Sequence, residues 1–142
     1  MNDFIKSIVK TVTERYGTSD PFVIADKSGI SIRYVPFDKE PLGQAINFHG
    51  QPMILIADIL KDSRQRYFVC AHELGHAIEH EDLAGYYASN NHNKGKIEVE
   101  ADKFAVVLLS ELYVEENDDY PHNWSDLVHS YGFPSWNGSQ II

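Results

Sequence analysis

The sequence has one cysteine, Cys70, so no disulfide can form within its 142 residues and ordinary core packing must hold them. A lone thiol fits a reducing, cytoplasmic setting. No apolar run approaches the roughly eighteen residues of a membrane span, and the N-terminus lacks the apolar stretch of a signal peptide. Positive charge is scarce: 12 Lys and Arg against 21 Asp and Glu leave a net charge of −9, which argues against nucleic acid as a direct partner. Internal repeats and low-complexity linkers are absent too, so a single domain over 1–142 is expected. What remains is enough for a core, with 43% apolar and 12% aromatic residues.

The centre of the chain is Phe68–His80, which contains His72-Glu73-Leu74-Gly75-His76 within a segment that reads as helix. Histidines four apart on a helix lie one above the other, so two ring nitrogens can reach one zinc ion at about 2.0–2.1 Å. Glu73 projects about 100° round the helix, beside the metal, where it can take a proton from a metal-activated water. Tyr67, Cys70, Ala71, Leu74, Ala77 and Ile78 form the opposite, anchoring face, with Cys70 a small hydrophobe rather than a nucleophile. Gly75 costs a helix about 1 kcal/mol relative to Ala, which points to a packing reason, such as close approach of another backbone. His80 continues the spacing but lies about 12 Å along the axis from His72, too far to share one ion.

The flanking chain has recognisable punctuation. Residues 3–16 set Phe4, Ile5, Ile8, Val9 and Val12 at helical spacing, with Gly17 as stop. Asp20-Pro21 is an N-cap followed by proline at the first position of a short helix ending at Gly29. Residues 30–35 alternate as a strand; 38–43 are a loop; 44–48 and 53–57 form a hairpin across His49-Gly50-Gln51-Pro52. Asp62 or Ser63 caps the motif helix. Residues 81–95 are polar and read as a loop near the site, with Tyr86, Tyr87 and His92 as candidate substrate or oxyanion contacts. A helix over 96–112 follows, then an acidic stretch, a last short helix through Tyr131 ended by Gly132, and a loose tail over 133–142.

A catalytic zinc usually takes three protein ligands and a water. The source of the third is Glu98-Val99-Glu100-Ala101-Asp102. On a helical wheel the buried face is Ala101, Phe104, Ala105, Leu108, Leu109 and Leu112; Glu98 lies roughly 50° from its centre and Glu100 about 110°, toward solvent. Glu98 is therefore the expected ligand. Asp102, one turn on, is placed to accept a hydrogen bond from the far nitrogen of a ligand histidine and fix its tautomer.

Arg66–His76 followed by Lys96–Leu109 resembles the ImmA/IrrE family of metallo-endopeptidases, and the likeness covers roughly residues 20–110. It implies a compact zincin-like α+β fold, with a small, mostly antiparallel sheet packed on the motif helix and a second ligand-bearing helix. By position it assigns His72, His76 and Glu98 to one Zn2+ per chain and Glu73 to catalysis. It further implies a function: cleavage of a separate helix-turn-helix repressor belonging to a mobile element or stress-response locus. Two departures stand out. The family's second helix often closes with a proline after Leu-Leu, whereas Leu108-Leu109-Ser110-Glu111 has none, so the chain leaves that helix later. No DNA-binding segment is fused at either end, and the variable segment 113–142 has no counterpart, so substrate choice is assigned there.

The oxyanion of peptide hydrolysis needs a donor besides the metal; Tyr113 and His122 join Tyr86, Tyr87 and His92 as candidates. An extended substrate is expected to add a strand to the sheet, at 53–57. The competing reading is a zinc-containing regulator that binds a partner repressor or toxin without cutting it, for which loss of Glu73 would be the marker; a metal-free acidic inhibitor is a third.

Overall fold

The computed structural model describes residues 3–38, 40–79 and 91–134, with only the backbone described at residues 3, 79 and 91–94. Helix α1 (Asp3–Tyr16) buries Ile5, Val9 and Val12, the stripe its spacing predicts, while Phe4 is 61% exposed. Phe4 precedes Ile5 by one residue, a 100° turn that carries it off the stripe. Helix α2 (Pro21–Lys27) starts as its sequence announces: Asp20 accepts a hydrogen bond from the Phe22 amide at 2.9 Å, with Pro21 in the first turn.

The sheet comprises β1 (Ser31–Val35), β2 (Gly43–Phe48) and β3 (Gln51–Ala57), in the order β1-β3-β2. β2 and β3 are antiparallel and β1 and β3 parallel. The pairing is thus mixed, because the chain crosses from β1 to the far side before the hairpin returns it to the middle. The hairpin turns tightly on His49 (φ 52°) and Gly50 (φ 82°), leaving Gln51 and Pro52 in the strand instead of the loop. Two consecutive residues of positive φ match the right-handed twist of the flanking strands. The order also corrects the expected docking strand. β3, residues 53–57, is hydrogen-bonded on both sides and has no edge to offer; β2 has an edge unpaired among the described residues.

Helix α3 (Gln65–Glu79) carries the motif and packs on one face of the sheet, where Ile54 and Ile56 are wholly buried. Ser63 is its cap, its hydroxyl accepting from the Gln65 amide at 3.1 Å. Helix α4 (Asn91–Asn117) packs along α3. It begins at Asn91, inside the segment read as a loop over 81–95, and runs five residues past the expected end at 112. Without a proline after Leu109 nothing stops it until Asp118, whose φ is 56°. Residues 80–90, which hold His80 and the rest of that loop reading, lie outside the described residues.

Helix α5 (Trp124–Tyr131) is capped by Asn123 and ended by Gly132 at φ 66°. The chain is not loose directly afterwards, for Phe133 is buried against Phe68 and Trp124, with ring centroids 5.2 and 5.0 Å away. The remainder of that tail reading, 135–142, falls outside the described residues. The segment beyond 113 thus props the motif helix. A Cβ on Gly132 would stand 2.3 Å from the Cα of Gln65, at the very start of α3.

Gly132→Ala is accordingly expected to destabilise the protein far more than Gly29→Ala. Both need positive φ, worth about 1–2 kcal/mol against an L side chain, but a Cβ on Gly29 meets nothing within 4 Å. Equilibrium urea unfolding of the two variants measures the difference; equal losses would contradict the packing described.

Candidate metal centre

α3 and α4 run antiparallel, and Gly75 lets them close. A Cβ there would lie 3.1 Å from Cδ1 of Phe104, so the glycine has the packing reason expected of it, supplied by an aromatic ring on α4. That contact brings Glu98 and Asp102 opposite the two histidines. Nε2 of His72 lies 3.0 Å from Glu98 Oε2, Nε2 of His76 lies 3.1 Å from Glu98 Oε1, and the two ring nitrogens are 3.2 Å apart. Donor atoms around a tetrahedral ion with bonds of 2.0–2.1 Å stand about 3.3 Å apart. The three side chains therefore fit one metal ion with only small adjustment, and among the described residues they form the one group of acidic, His or Cys side chains so gathered.

His72 Nδ1 donates to Asp102 Oδ1 at 2.7 Å, which turns Nε2 toward the cluster. Burial works against a charge on the ring, but the hydrogen bonds the ring donates to Asp102 and Glu98 outweigh it and lift the His72 pKa to about 10 in the metal-free protein. Hydrogen bonds from His72 and His76 hold the Glu98 carboxyl far below the usual range. A proton shared in this way is one that an incoming cation displaces.

Glu98 is half-exposed while both histidine side chains are about seven-eighths buried, at 14% and 13% exposure. The helical wheel chose the right direction for Glu98 but not its depth: the carboxylate reaches the histidines from the rim. Glu100 touches neither.

Glu73 is 9% exposed and its carboxyl is pushed up, chiefly by burial; the nearby histidines and the Ala45 backbone N–H act in the other direction. It is covered by the start of β2. A Cβ on Gly43 would stand 2.4 Å from Cγ1 of Val69 and 3.1 Å from Cγ of Glu73. Gly43 and Ala45 went unnoticed in the sequence because 38–43 read as loop; a glycine directly ahead of an apolar strand was the available signal. Cys70 is wholly buried and burial pushes its thiol up, as suits an inert core residue.

Two oxyanion candidates are removed. Tyr113 sits on α4 about 22 Å along the axis from Glu98, and packs against the core. His122 lies on the surface beyond that helix, paired with Asp119 at 3.2 Å. The side chains of Tyr86, Tyr87 and His92 lie outside the described residues, though the backbone of His92 belongs to the first turn of α4. A groove of about 1150 Å³ opens beside Glu73, His76 and Glu98 and is walled by β2 and by α1. No helix among the described residues is long and apolar enough to cross a membrane.

With this geometry in view, the likenesses to other proteins are informative. The sequence profile of a peptidase family described as IrrE N-terminal-like domain matches residues 25–112. Immunity region protein 2 of Bacillus phage phi105, itself uncharacterized, is 29% identical over 136 residues, covering 92% of this chain and 84% of the relative. No solved structure matches.

Asp102→Asn is expected to weaken zinc binding about 10–100-fold, by loosening His72, and Glu98→Ala to weaken it further by removing a donor. Glu100→Ala should leave it unchanged. Competition against a chromophoric chelator reads all three, and a Glu98→Ala protein that holds zinc like wild type would dismiss the cluster as the metal site.

Proposed function

The chain belongs to the ImmA/IrrE family of IrrE N-terminal-like peptidase domains, and on that premise we propose that it is a zinc-dependent endopeptidase that cuts a separate helix-turn-helix repressor. The observation that carries the reading is the meeting of His72, His76 and Glu98 donor atoms at 3.0–3.2 Å with a buried carboxylate outside that trio, Glu73, alongside. Structural zinc sites take four protein ligands, whereas three with a neighbouring base is the pattern of hydrolysis.

When bound to His72, His76 and Glu98, zinc would supply Lewis acidity to the attacking water and to the scissile carbonyl. Glu73 performs the proton transfers. Its burial favours the neutral form, so it accepts the water's proton readily and passes it to the departing amine nitrogen. Gly43 and Ala45 hold that carboxylate in place: the glycine leaves room for it and the Ala45 amide donates to it. Asp102 orients His72. The edge of β2 that has no partner strand among the described residues, not β3, lies beside the groove and offers its remaining backbone groups to an extended substrate. For the oxyanion, Tyr86, Tyr87 and His92 are the remaining candidate donors.

The repressor as substrate draws on the family resemblance and on the phage relative, whose name places it in an immunity region. A cytoplasmic location follows from such a partner.

The test is incubation of the zinc-loaded protein with candidate helix-turn-helix repressors, read by intact-mass spectrometry. Wild type should yield two fragments. Glu73→Gln should bind zinc normally and cleave at least about a hundredfold more slowly. Cleavage by Glu73→Gln at the wild-type rate would rule the mechanism out, and zinc binding with no cleavage by wild type would favour a non-proteolytic regulator.

A further inference from the structure

We propose that α1 is the substrate-selecting wall of the groove, accepting an extended peptide that presents a large aliphatic side chain to Ile8 and Val12 and an acidic side chain to Arg15. The inference rests on the endopeptidase reading and deepens it by naming the class of peptide. α1 lies outside the segment matched by the family profile, so the selecting wall and the hydrolytic machinery are separate pieces of chain.

The shape of the groove argues for an extended chain. Its lining includes five consecutive residues of β2, Gly43 to Asn47. Side chains alternate across a strand, so five in a row meet one groove along the strand's edge, where the backbone groups not paired with β3 lie; of these the Ala45 amide is given to Glu73. The opposite wall is one face of α1: Ile8 and Val12, one turn apart, are the apolar part, and Arg15 follows on the next turn. Ile8 is partly buried against the core and Val12 is 7% exposed, so both are fixed in place.

Charge sets the other half of the preference. The chain carries a net charge of −9, and the catalytic end of the groove contributes Glu73 and Glu98. Arg15 is the one cationic residue lining the groove among the described residues, and it has no ion pair there; its guanidinium leans on the Tyr16 ring at 5.6 Å. Just past α1, Thr18 and Ser19 both bind Glu115, at 2.9 Å each. Glu115 is about 25 Å further along α4 than Glu98, which puts Arg15 at the end of the groove remote from the histidines. Ile8 and Arg15 are about 10 Å apart along α1, the span of about three residues of extended peptide. The favoured substrate thus carries a bulky aliphatic residue and, three positions away, Asp or Glu.

Binding tests this without relying on cleavage. Fluorescein-labelled peptides with Leu and Glu at that spacing, and versions with Lys for Glu or Ala for Leu, are titrated into the zinc-loaded Glu73→Gln protein by anisotropy. The Glu peptide should bind about fivefold tighter than the Lys peptide, and adding Arg15→Glu should invert the order. Ile8→Ala should weaken the Leu peptide about tenfold and erase its advantage over Ala. Arg15 is exposed, so its reversal tests the wall without disturbing the fold. An unchanged charge order in Arg15→Glu, or no peptide binding at all, would overturn the proposal. Wild-type cleavage is scored separately: peptides bound with these preferences but never cut would support the wall and sink the endopeptidase reading. Peptides cut at rates indifferent to Arg15 and Ile8 would do the reverse.

Discussion

The contact between Gly75 and Phe104 sets everything else in this protein. With no Cβ on Gly75, the Phe104 ring has room against α3, and α4 settles where its carboxylates reach the histidines. Because the helices run antiparallel, one register places Asp102 on the far nitrogen of His72 and Glu98 against both near nitrogens. A shift of one residue along α4 would rotate both carboxylates away by about 100°. The metal centre is therefore a property of a helix pair, and the remainder of the fold keeps that pair in register. The glycine gives up roughly 1 kcal/mol of helix propensity to allow it.

Support comes from both sides. The sheet lies under α3 with Ile54 and Ile56, and β2 folds over Glu73 closely enough that only glycine fits at 43. Burying a carboxylate is unfavourable unless it is hydrogen-bonded or charge-matched, and here the Ala45 amide and two histidines supply both. At the other end of α3, Tyr131 packs on Tyr67 and gives its hydroxyl proton to Glu116 at 2.6 Å, while Phe133 fills the space beside Phe68. The last described helix thus works as a buttress for the motif helix. No described residue beyond 113 lines the groove, so the proposed substrate preference is argued from α1, which does.

What could be read from the sequence was what local chemistry dictates. Periodicity found the buried stripe of α1, the Asp20-Pro21 start of α2 needs only its own turn, and spacing alone puts His72 and His76 on one face. The failures share a cause. Strand order is a long-range choice, and nothing in residues 53–57 says that β1 will take their free side. The early start of α4 was hidden by the Asn, His and Gly residues of 91–95, poor helix formers that tertiary contacts and the strong helix behind them carry along. Helical angle separated Glu98 from Glu100, yet it could not foresee that the ligand would stand half in solvent. Gly43 was unreadable because the meaning of a glycine depends on what crosses it.

The central claim is that α3 and α4 together hold one metal ion through His72, His76 and Glu98. X-ray absorption at the zinc edge, on protein carrying one zinc per chain, tests it most directly. The expected spectrum shows only nitrogen and oxygen neighbours at about 2.0–2.1 Å, with the scattering pattern of two imidazoles. A sulfur shell near about 2.3 Å, which would enlist Cys70, or a spectrum without imidazole scattering, would contradict the account.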